Sequence, residues 1–189
     1  MPSLDETFAT LTAYLRQPDA LNPAKSDPIL YFVHDPGETL AVKQKLGVWC
    51  PALRNEGWVV EQVSLSQLLW QIVERSGRWD EWLALEPEAD PEAMNEAIRD
   101  VLRTGNALVE SLASHVSKER EHTLVFVTDT AALHPYFRAR SLESGLHDRV
   151  KVPTVLFYPG RRSGQYGLHS LGFYEFDGNY RATLLGGLE

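Results

Sequence analysis

The sequence predicts an α/β fold: an open, mostly parallel sheet of the Rossmann-like or degenerate P-loop-like kind, with helices on both faces and a small C-terminal hairpin. Two observations carry this prediction. Short apolar runs rich in β-branched and aromatic residues alternate with helical patterns through the first 158 residues, as in βαβ units. The runs are also continuously apolar, which is typical of strands buried on both faces of a parallel sheet.

Length and composition favour one domain, spanning residues 1–189. The chain is 43% hydrophobic and 23% charged, and a domain of this size buries roughly 70% of its surface without needing a disulfide or a metal. Ser3, with Glu6 three residues later, predicts a capping box at the start of an N-terminal helix. We expect residues 1–27, this helix and a loop, to pack on the core.

The remaining elements follow from periodicity and from turn residues. The predicted strands cover residues 29–33, 58–63, 123–127 and 153–158. The predicted helices cover residues 38–55, a stretch capped by Ser64 or Ser66, and residues 77–85, 91–116 and 131–142. Gly57 is placed to end the first of these helices. Residues 172–176 and 180–185 resemble a closing hairpin around Asp177-Gly178, a strong turn signal.

Charge and terminal sequence limit the classes of function. The formal charge of −8 argues against a surface that embraces nucleic acid as a whole, because phosphate binding needs a basic face. Residues 74–100 are acidic, whereas residues 136–169 carry six arginines and lysines against two acids. The start of the chain lacks the basic and apolar regions of a signal peptide, and no apolar run could span a membrane. We therefore expect a cytoplasmic protein with no membrane contact, and a buried structural thiol at Cys50.

No catalytic motif is recognisable in the chain. The phosphate-loop pattern G-x-x-x-x-G-K-[ST], the dinucleotide pattern G-x-G-x-x-G, the zinc pattern H-E-x-x-H and the elbow G-x-S-x-G are all absent. The sequence therefore predicts a protein that is not an enzyme and that holds no cofactor and no metal. Asp35 and Asp129 follow predicted strands and could bind a metal in a hydrolase. The favoured interpretation is structural: Asp35 starts a Pro-Gly turn, and Asp129 caps the next helix.

The segment from Phe157 to Leu168 is the most informative part of the sequence. Its three glycines and one proline predict a loop at the end of a strand, and arginine and tyrosine, which are enriched at binding hot spots, decorate it. A partner could be a protein or a phosphate group. The candidate partner-binding residues are Tyr158, Gly160, Arg161, Arg162, Gln165 and Tyr166.

Several segments together resemble the BrxB family of BREX phage-defence systems. They are residues 31–36 (YFVHDP) with the helix after them, 125–129 (VFVTD), 153–160 (PTVLFYPG) and 164–168 (GQYGL), and the resemblance spans about residues 5–183. The order of segments also resembles the core of AAA-type ATPases with the phosphate loop lost. The family resemblance implies a small bacterial cytosolic protein to which no catalytic residue can be transferred. It also implies partners: the phosphatase-like PglZ, a large ATPase, a DNA methyltransferase and a Lon-like protein.

These observations lead to one leading expectation and two alternatives. The leading expectation is a non-enzymatic adaptor of a BREX-type complex that docks on the phosphatase-like PglZ and meets DNA only indirectly through the complex. The first alternative is a nucleotide- or nucleic-acid-binding domain that uses the basic 158–166 segment on phosphates. The second is a hydrolase built on Asp35 and Asp129.

Overall fold

In the computed structural model of the chain, the described residues are 2–17, 21–22, 27–164, 167–178 and 180–187. Over these residues the α-helices are α1 (Leu4–Leu15), α2 (Thr39–Asn55), α3 (Leu65–Arg75), α4 (Trp79–Leu85), α5 (Pro91–Arg103), α6 (Ala107–Val116) and α7 (Ala139–Gly145). The strands are β1 (Ile29–His34), β2 (Val59–Ser64), β3 (Thr123–Thr128), β4 (Thr154–Ser163), β5 (Gly167–Ser170) and β6 (Thr183–Gly186).

The sheet has the strand order β2-β3-β4-β1-β6, and all of these neighbours pair in parallel. Strand β5 pairs antiparallel with the outer part of β4. The prediction of an α/β fold with an open, mostly parallel sheet is therefore confirmed. Strand β1 is buried along its whole length, as its continuous apolar run predicts.

Helices cover both faces of the sheet. We call the two sides the α1–α2 face and the α3–α7 face, after the helices that pack on them. Alternate side chains of each strand point to opposite faces, so Phe32 joins the core under α2, while Tyr31 joins the core under α3 to α7. The single thiol, Cys50, is buried on the α1–α2 face, as expected.

Capping signals locate the helix ends correctly. The Ser3 hydroxyl accepts a hydrogen bond from the Glu6 amide, and the Glu6 carboxylate accepts one from the Ser3 amide, which completes the predicted capping box. The Ser64 hydroxyl caps α3 by accepting from the amide of Gln67. Gly57 follows the end of α2 with φ = 95°, in the left-handed region that favours glycine.

Two predictions of a single continuous helix are wrong. The helix over 91–116 is broken at Gly105 and Asn106, whose φ values of 60° and 55° turn the chain between α5 and α6. The helix over 131–142 is also interrupted: a short 3-10 turn ends before α7 begins at Ala139. Pro135 explains the second break, because it lacks an amide donor and forces His134 into an extended conformation.

The predicted position of the C-terminal hairpin is also wrong. Residues 172–176 form no strand, and β6 pairs in parallel with β1 instead of folding back on its own neighbour. The antiparallel hairpin is formed by β4 and β5, and Asp177 contributes a single bridge to Leu168. The physical reason is that β1 would otherwise be an unpaired edge strand of the sheet. By pairing with β1, β6 also buries Leu184 in the core of one face and Leu185 in the core of the other.

Candidate functional site at the carboxyl edge of the sheet

The described residues of the segment predicted as a partner-binding loop are paired as two antiparallel strands. Strand β4 continues through residues 159–163, and its outer residues pair with β5 in the register Gly160 to Ser170, Arg161 to His169 and Arg162 to Leu168. The loop prediction is wrong because the returning strand supplies partners for the backbone of this glycine-rich stretch. Gln165 and Tyr166 lie outside the described residues.

Tyr158 and Gly160 are buried within the hairpin. The Tyr158 side chain is 3% exposed and meets the Tyr31 ring edge to face, and burial raises the pKa of its hydroxyl. A Cβ atom at Gly160 would collide with the His169 carbonyl oxygen and the Tyr158 ring, so only glycine fits there. These two residues therefore position the hairpin and present no side chain at the carboxyl edge.

Arg162 is tied to the backbone of two neighbouring segments. Its Nε donates to the Gly164 carbonyl at 3.0 Å, and its Nη1 donates to the Leu184 carbonyl at 3.3 Å. Its amide donates to the Gly187 carbonyl at 3.0 Å. These bonds attach the hairpin to β6 and to the residue that follows it, so Arg162 has a structural role.

Arg161, next along the same strand, points to solvent. Its side chain is 53% exposed, and its guanidinium lies 3.8 Å from the Asp35 carboxylate, too far for a close ion pair. A Cβ atom at Gly172 would lie 3.7 Å from Arg161 Nε, and Phe173 follows with 74% of its surface exposed. We call the group Arg161, Asp35, Gly172 and Phe173 the Arg161 surface.

The turn after β1 positions Asp35, which belongs to the Arg161 surface. Asp35 Oδ1 accepts a hydrogen bond from the Gly37 amide at 2.8 Å, which is the turn-starting role predicted for it. The buried His34 donates from Nδ1 to the Asp35 carbonyl oxygen at 2.9 Å. Burial lowers the pKa of His34, so its imidazole is neutral at pH 7.

Asp129 does not cap the helix that follows it, so this interpretation is wrong. Its φ of 58° turns the side chain back across the ends of β2 and β3, where Oδ2 accepts from the Ser64 hydroxyl at 2.6 Å. Its Oδ1 lies 2.6 Å from Lys43 Nζ. Burial acts to raise the pKa of Asp129, but Lys43 and Ser64 outweigh it and hold the pKa below the usual range.

Asp35 and Asp129 follow strands that are not neighbours, because β4 lies between β1 and β3. Two strand spacings amount to roughly 10 Å, and each carboxylate already has its own partners. Over the described residues, the group with metal-ligand spacing is Asp27, His147 and Asp148, which includes neither Asp35 nor Asp129. The arrangement thus gives no support to a metal-dependent hydrolase at this edge.

Two exposed aromatic residues after β5 were missed by sequence reasoning. Phe173 and Phe176 lie in a stretch whose aromatic residues indicated a strand, yet they are 74% and 55% exposed. The signal that could have identified them is Gly172, whose φ of 75° marks a turn directly after β5. Arginine beside exposed aromatic side chains is the composition of a protein-binding surface.

A family model described as BREX protein BrxB matches residues 61–185, about two thirds of the chain. The chain belongs to the BrxB family. The match includes the β4–β5 hairpin and the turn that carries Phe173. Membership makes the protein a component of the BREX anti-phage system, and this implies protein partners within that system. No curated protein and no solved structure matches the chain. Within the described ranges, no helix is long and apolar enough to cross a membrane.

Proposed function

We propose that this BrxB protein is a non-enzymatic adaptor of the BREX system that docks on its phosphatase-like partner, PglZ, through the Arg161 surface. The observation that carries the proposal is that an exposed guanidinium and an exposed phenyl ring lie on either side of Gly172, at a hairpin that is fixed at its base. Arg161 lies on a paired strand, and Phe173 lies on the turn that follows β5. A binding group held by rigid backbone loses little conformational freedom on association, which favours affinity.

The two neighbouring arginines support a protein partner more than a phosphate. A phosphate clamp would need both guanidinium groups directed at one point. Arg162 is bound to carbonyl oxygens, and Arg161 lies beside the carboxylate of Asp35. The Arg161 surface therefore carries both charges and one exposed aromatic ring, which matches the composition of protein interfaces.

The experiment is a binding measurement between this protein and the PglZ protein of the same BREX system, both purified. We expect Arg161→Ala and Phe173→Ala each to weaken the affinity by about tenfold or more, as hot-spot truncations do. Arg16→Ala is the matched control. It removes the same charge from an exposed arginine that pairs with Glu56 at the end of α2, at the opposite edge of the sheet.

The comparison of variants decides the assignment. If wild-type protein binds PglZ and both the Arg161 and Phe173 variants bind it equally well, the docking surface is elsewhere. If the wild-type protein does not bind PglZ at all, the partner assignment is wrong. Circular dichroism of each variant confirms that the fold is retained, and a weaker association at higher salt supports the charged contact of Arg161.

A further inference from the structure

A separate concave region lies on the α3–α7 face. It is a cavity of about 840 Å³ between α5, α6, α7, the segment 134–138 and the chain after β5. Small-molecule sites in proteins occupy roughly 300–1,000 Å³, so the volume suits a ligand of nucleotide size. Arg161 and Phe173 do not line this cavity. The cavity adjoins the surface proposed to bind a protein, because the Phe173 ring lies 4.6 Å from the ring of Tyr174, which lines the cavity.

Three arginines contribute cationic groups to the cavity wall. Arg99 and Arg103 share Glu96, at 2.8 Å and 3.5 Å from its two carboxylate oxygens. Arg138, at the start of α7, has no carboxylate partner among the residues that the structure describes. One guanidinium is thus available to an incoming anion, and a second is held only loosely.

An aromatic pair forms the wall beside Arg138. The rings of His134 and Tyr174 are stacked, with centroids 4.4 Å apart and planes inclined by 18°. Burial, and after it the nearby Arg138, lowers the pKa of His134 below its usual value, so the imidazole is uncharged at pH 7. A stacked pair of neutral rings at a cavity wall offers a flat surface to a planar heterocycle.

The rest of the cavity lining carries hydroxyl groups and the carboxylates of Glu175 and Asp177. Tyr158 and Tyr180 are 3% and 2% exposed, and the Tyr158 hydroxyl interacts with those of Ser170 and Tyr180. Asp177 has a side chain that is 17% exposed and lies 3.4 Å from Arg140, a loose contact that leaves acceptor capacity on its carboxylate. A carboxylate with acceptor capacity of this kind binds the hydroxyls of a ribose.

We propose that this cavity binds a nucleoside monophosphate, with Arg138 and Arg103 on the phosphate, the His134–Tyr174 pair against the base, and the lining around Asp177 on the sugar. A single phosphate fits better than a triphosphate. Glu96 neutralises part of the arginine charge, and the chain has no glycine-rich loop with a lysine to hold further phosphates. The site would give the protein a small-molecule ligand next to its docking surface, since Phe173 packs on Tyr174.

The test is isothermal titration calorimetry with AMP, GMP, CMP and UMP, and with adenosine and inorganic phosphate as fragments. We expect saturable binding of at least one monophosphate at one site, tighter than either fragment. Arg138→Ala should weaken that binding by at least about tenfold, because a charge-assisted and bidentate contact is lost. Arg138→Lys should restore part of it, since lysine keeps the charge but not the fork.

A second variant examines the aromatic wall. Tyr174→Leu keeps an apolar side chain but removes the stacking surface, and we expect it to weaken the binding of the nucleotide while leaving that of inorganic phosphate unchanged. Arg16→Ala is again the control, and it should bind nucleotides as the wild type does. The thermal unfolding midpoint of each variant without ligand shows whether the fold is intact.

Three results would overturn the proposal. One is the lack of binding of every monophosphate at millimolar concentration. Another is binding that neither Arg138→Ala nor Tyr174→Leu changes. The third is binding of a 5′-phosphorylated oligonucleotide without binding of any free nucleotide, which would indicate a nucleic-acid surface. Because Arg138→Ala should still bind PglZ and Arg161→Ala should still bind the nucleotide, failure of one proposal is distinguishable from failure of the other.

Discussion

The two faces of the sheet are closed in different ways. On the α1–α2 face, aromatic side chains fill the space between sheet and helices: Phe8 stacks on Trp49 at 4.6 Å, and Trp49 lies against Phe32 and Phe157. On the α3–α7 face, buried polar groups and a large cavity interrupt the apolar packing. The first face is organised for stability, whereas the second leaves room for a ligand.

The polar groups of the α3–α7 face centre on Glu143 of α7. Its Oε1 accepts from the amides of Arg181 and Ala182, at 2.8 Å and 3.1 Å, and so holds the chain before β6 against α7. Glu143 Oε2 and the Tyr31 hydroxyl are both buried and interact with each other, but neither makes a hydrogen bond of full geometry with any described residue. Buried polar groups without full hydrogen bonds lower the free energy of unfolding. The α3–α7 face therefore stabilises the fold less than purely apolar packing at these positions would.

The largest effect should come from the aromatic packing of the α1–α2 face. Replacing Trp49, which is 4% exposed, by alanine should lower the free energy of unfolding by about 3–5 kcal/mol, because the ring leaves a cavity. Trp70 on α3 is 45% exposed, and Trp70→Ala should lower the free energy by less than about 1 kcal/mol. Urea unfolding followed by far-UV circular dichroism measures both. Equal losses at the two positions would show that Trp49 is not packed in the aromatic core of the α1–α2 face.

A smaller effect, dependent on pH, should come from Glu143. Burial raises the pKa of this carboxyl above its usual value of 4.5, and the backbone amides of Arg181 and Ala182 offset this only in part. The folded protein therefore holds the proton more tightly than the unfolded chain. The contribution of the protonated Glu143 carboxyl to the free energy of unfolding is fully present below pH 4.5. It is lost as the pH rises through the pKa of this carboxyl in the folded protein.

Glu143→Gln removes this titration but keeps an oxygen acceptor for the two amides. We expect the variant to be more stable than the wild type at neutral pH by roughly 1 kcal/mol, with the difference vanishing below pH 4.5. Urea unfolding of both proteins at a series of pH values gives this difference directly. A difference that stays constant over the whole range would mean that the folded pKa is not raised.

The sequence predicts the parts of the fold that depend on local patterns. The buried run of β1 and the capping box at Ser3 were both correctly identified, because each is determined by residues within one element. The break between α5 and α6 was missed, since apolar residues at helical spacing continue on both sides of Gly105. The pairing of β6 with β1 was missed because it depends on an edge that is distant in the sequence.

The candidate site follows the same division. Glycine and arginine in the 158–166 segment predict a binding region, but no local pattern separates Arg161 from Arg162. Their roles depend on the carbonyl oxygens of Gly164 and Leu184, which come from other parts of the hairpin and of the sheet. The exposure of Phe173 depends likewise on the turn after β5, whereas the sequence predicts a strand over residues 172–176.

The smallest effect separates these two arginines by stability. Arg162→Ala should lower the free energy of unfolding by about 1 kcal/mol, because it removes hydrogen bonds from a charged donor to the Gly164 and Leu184 carbonyls. Arg161→Ala should leave it within about 0.5 kcal/mol of the wild type, because the side chain is exposed and 3.8 Å from its nearest carboxylate. Urea unfolding measures the stability of both variants.

The two arginines should exchange rank when binding is measured instead of stability. Arg161→Ala should weaken the association with PglZ, whereas Arg162→Ala should do so only as far as it loosens the hairpin. In the opposite ranking, Arg162→Ala would weaken the association with PglZ without lowering the free energy of unfolding. That result would place the docking contact on Arg162. That result would move the proposed surface from the β1 side of the hairpin towards β6, since Arg162 contacts Leu184 and Gly187 there.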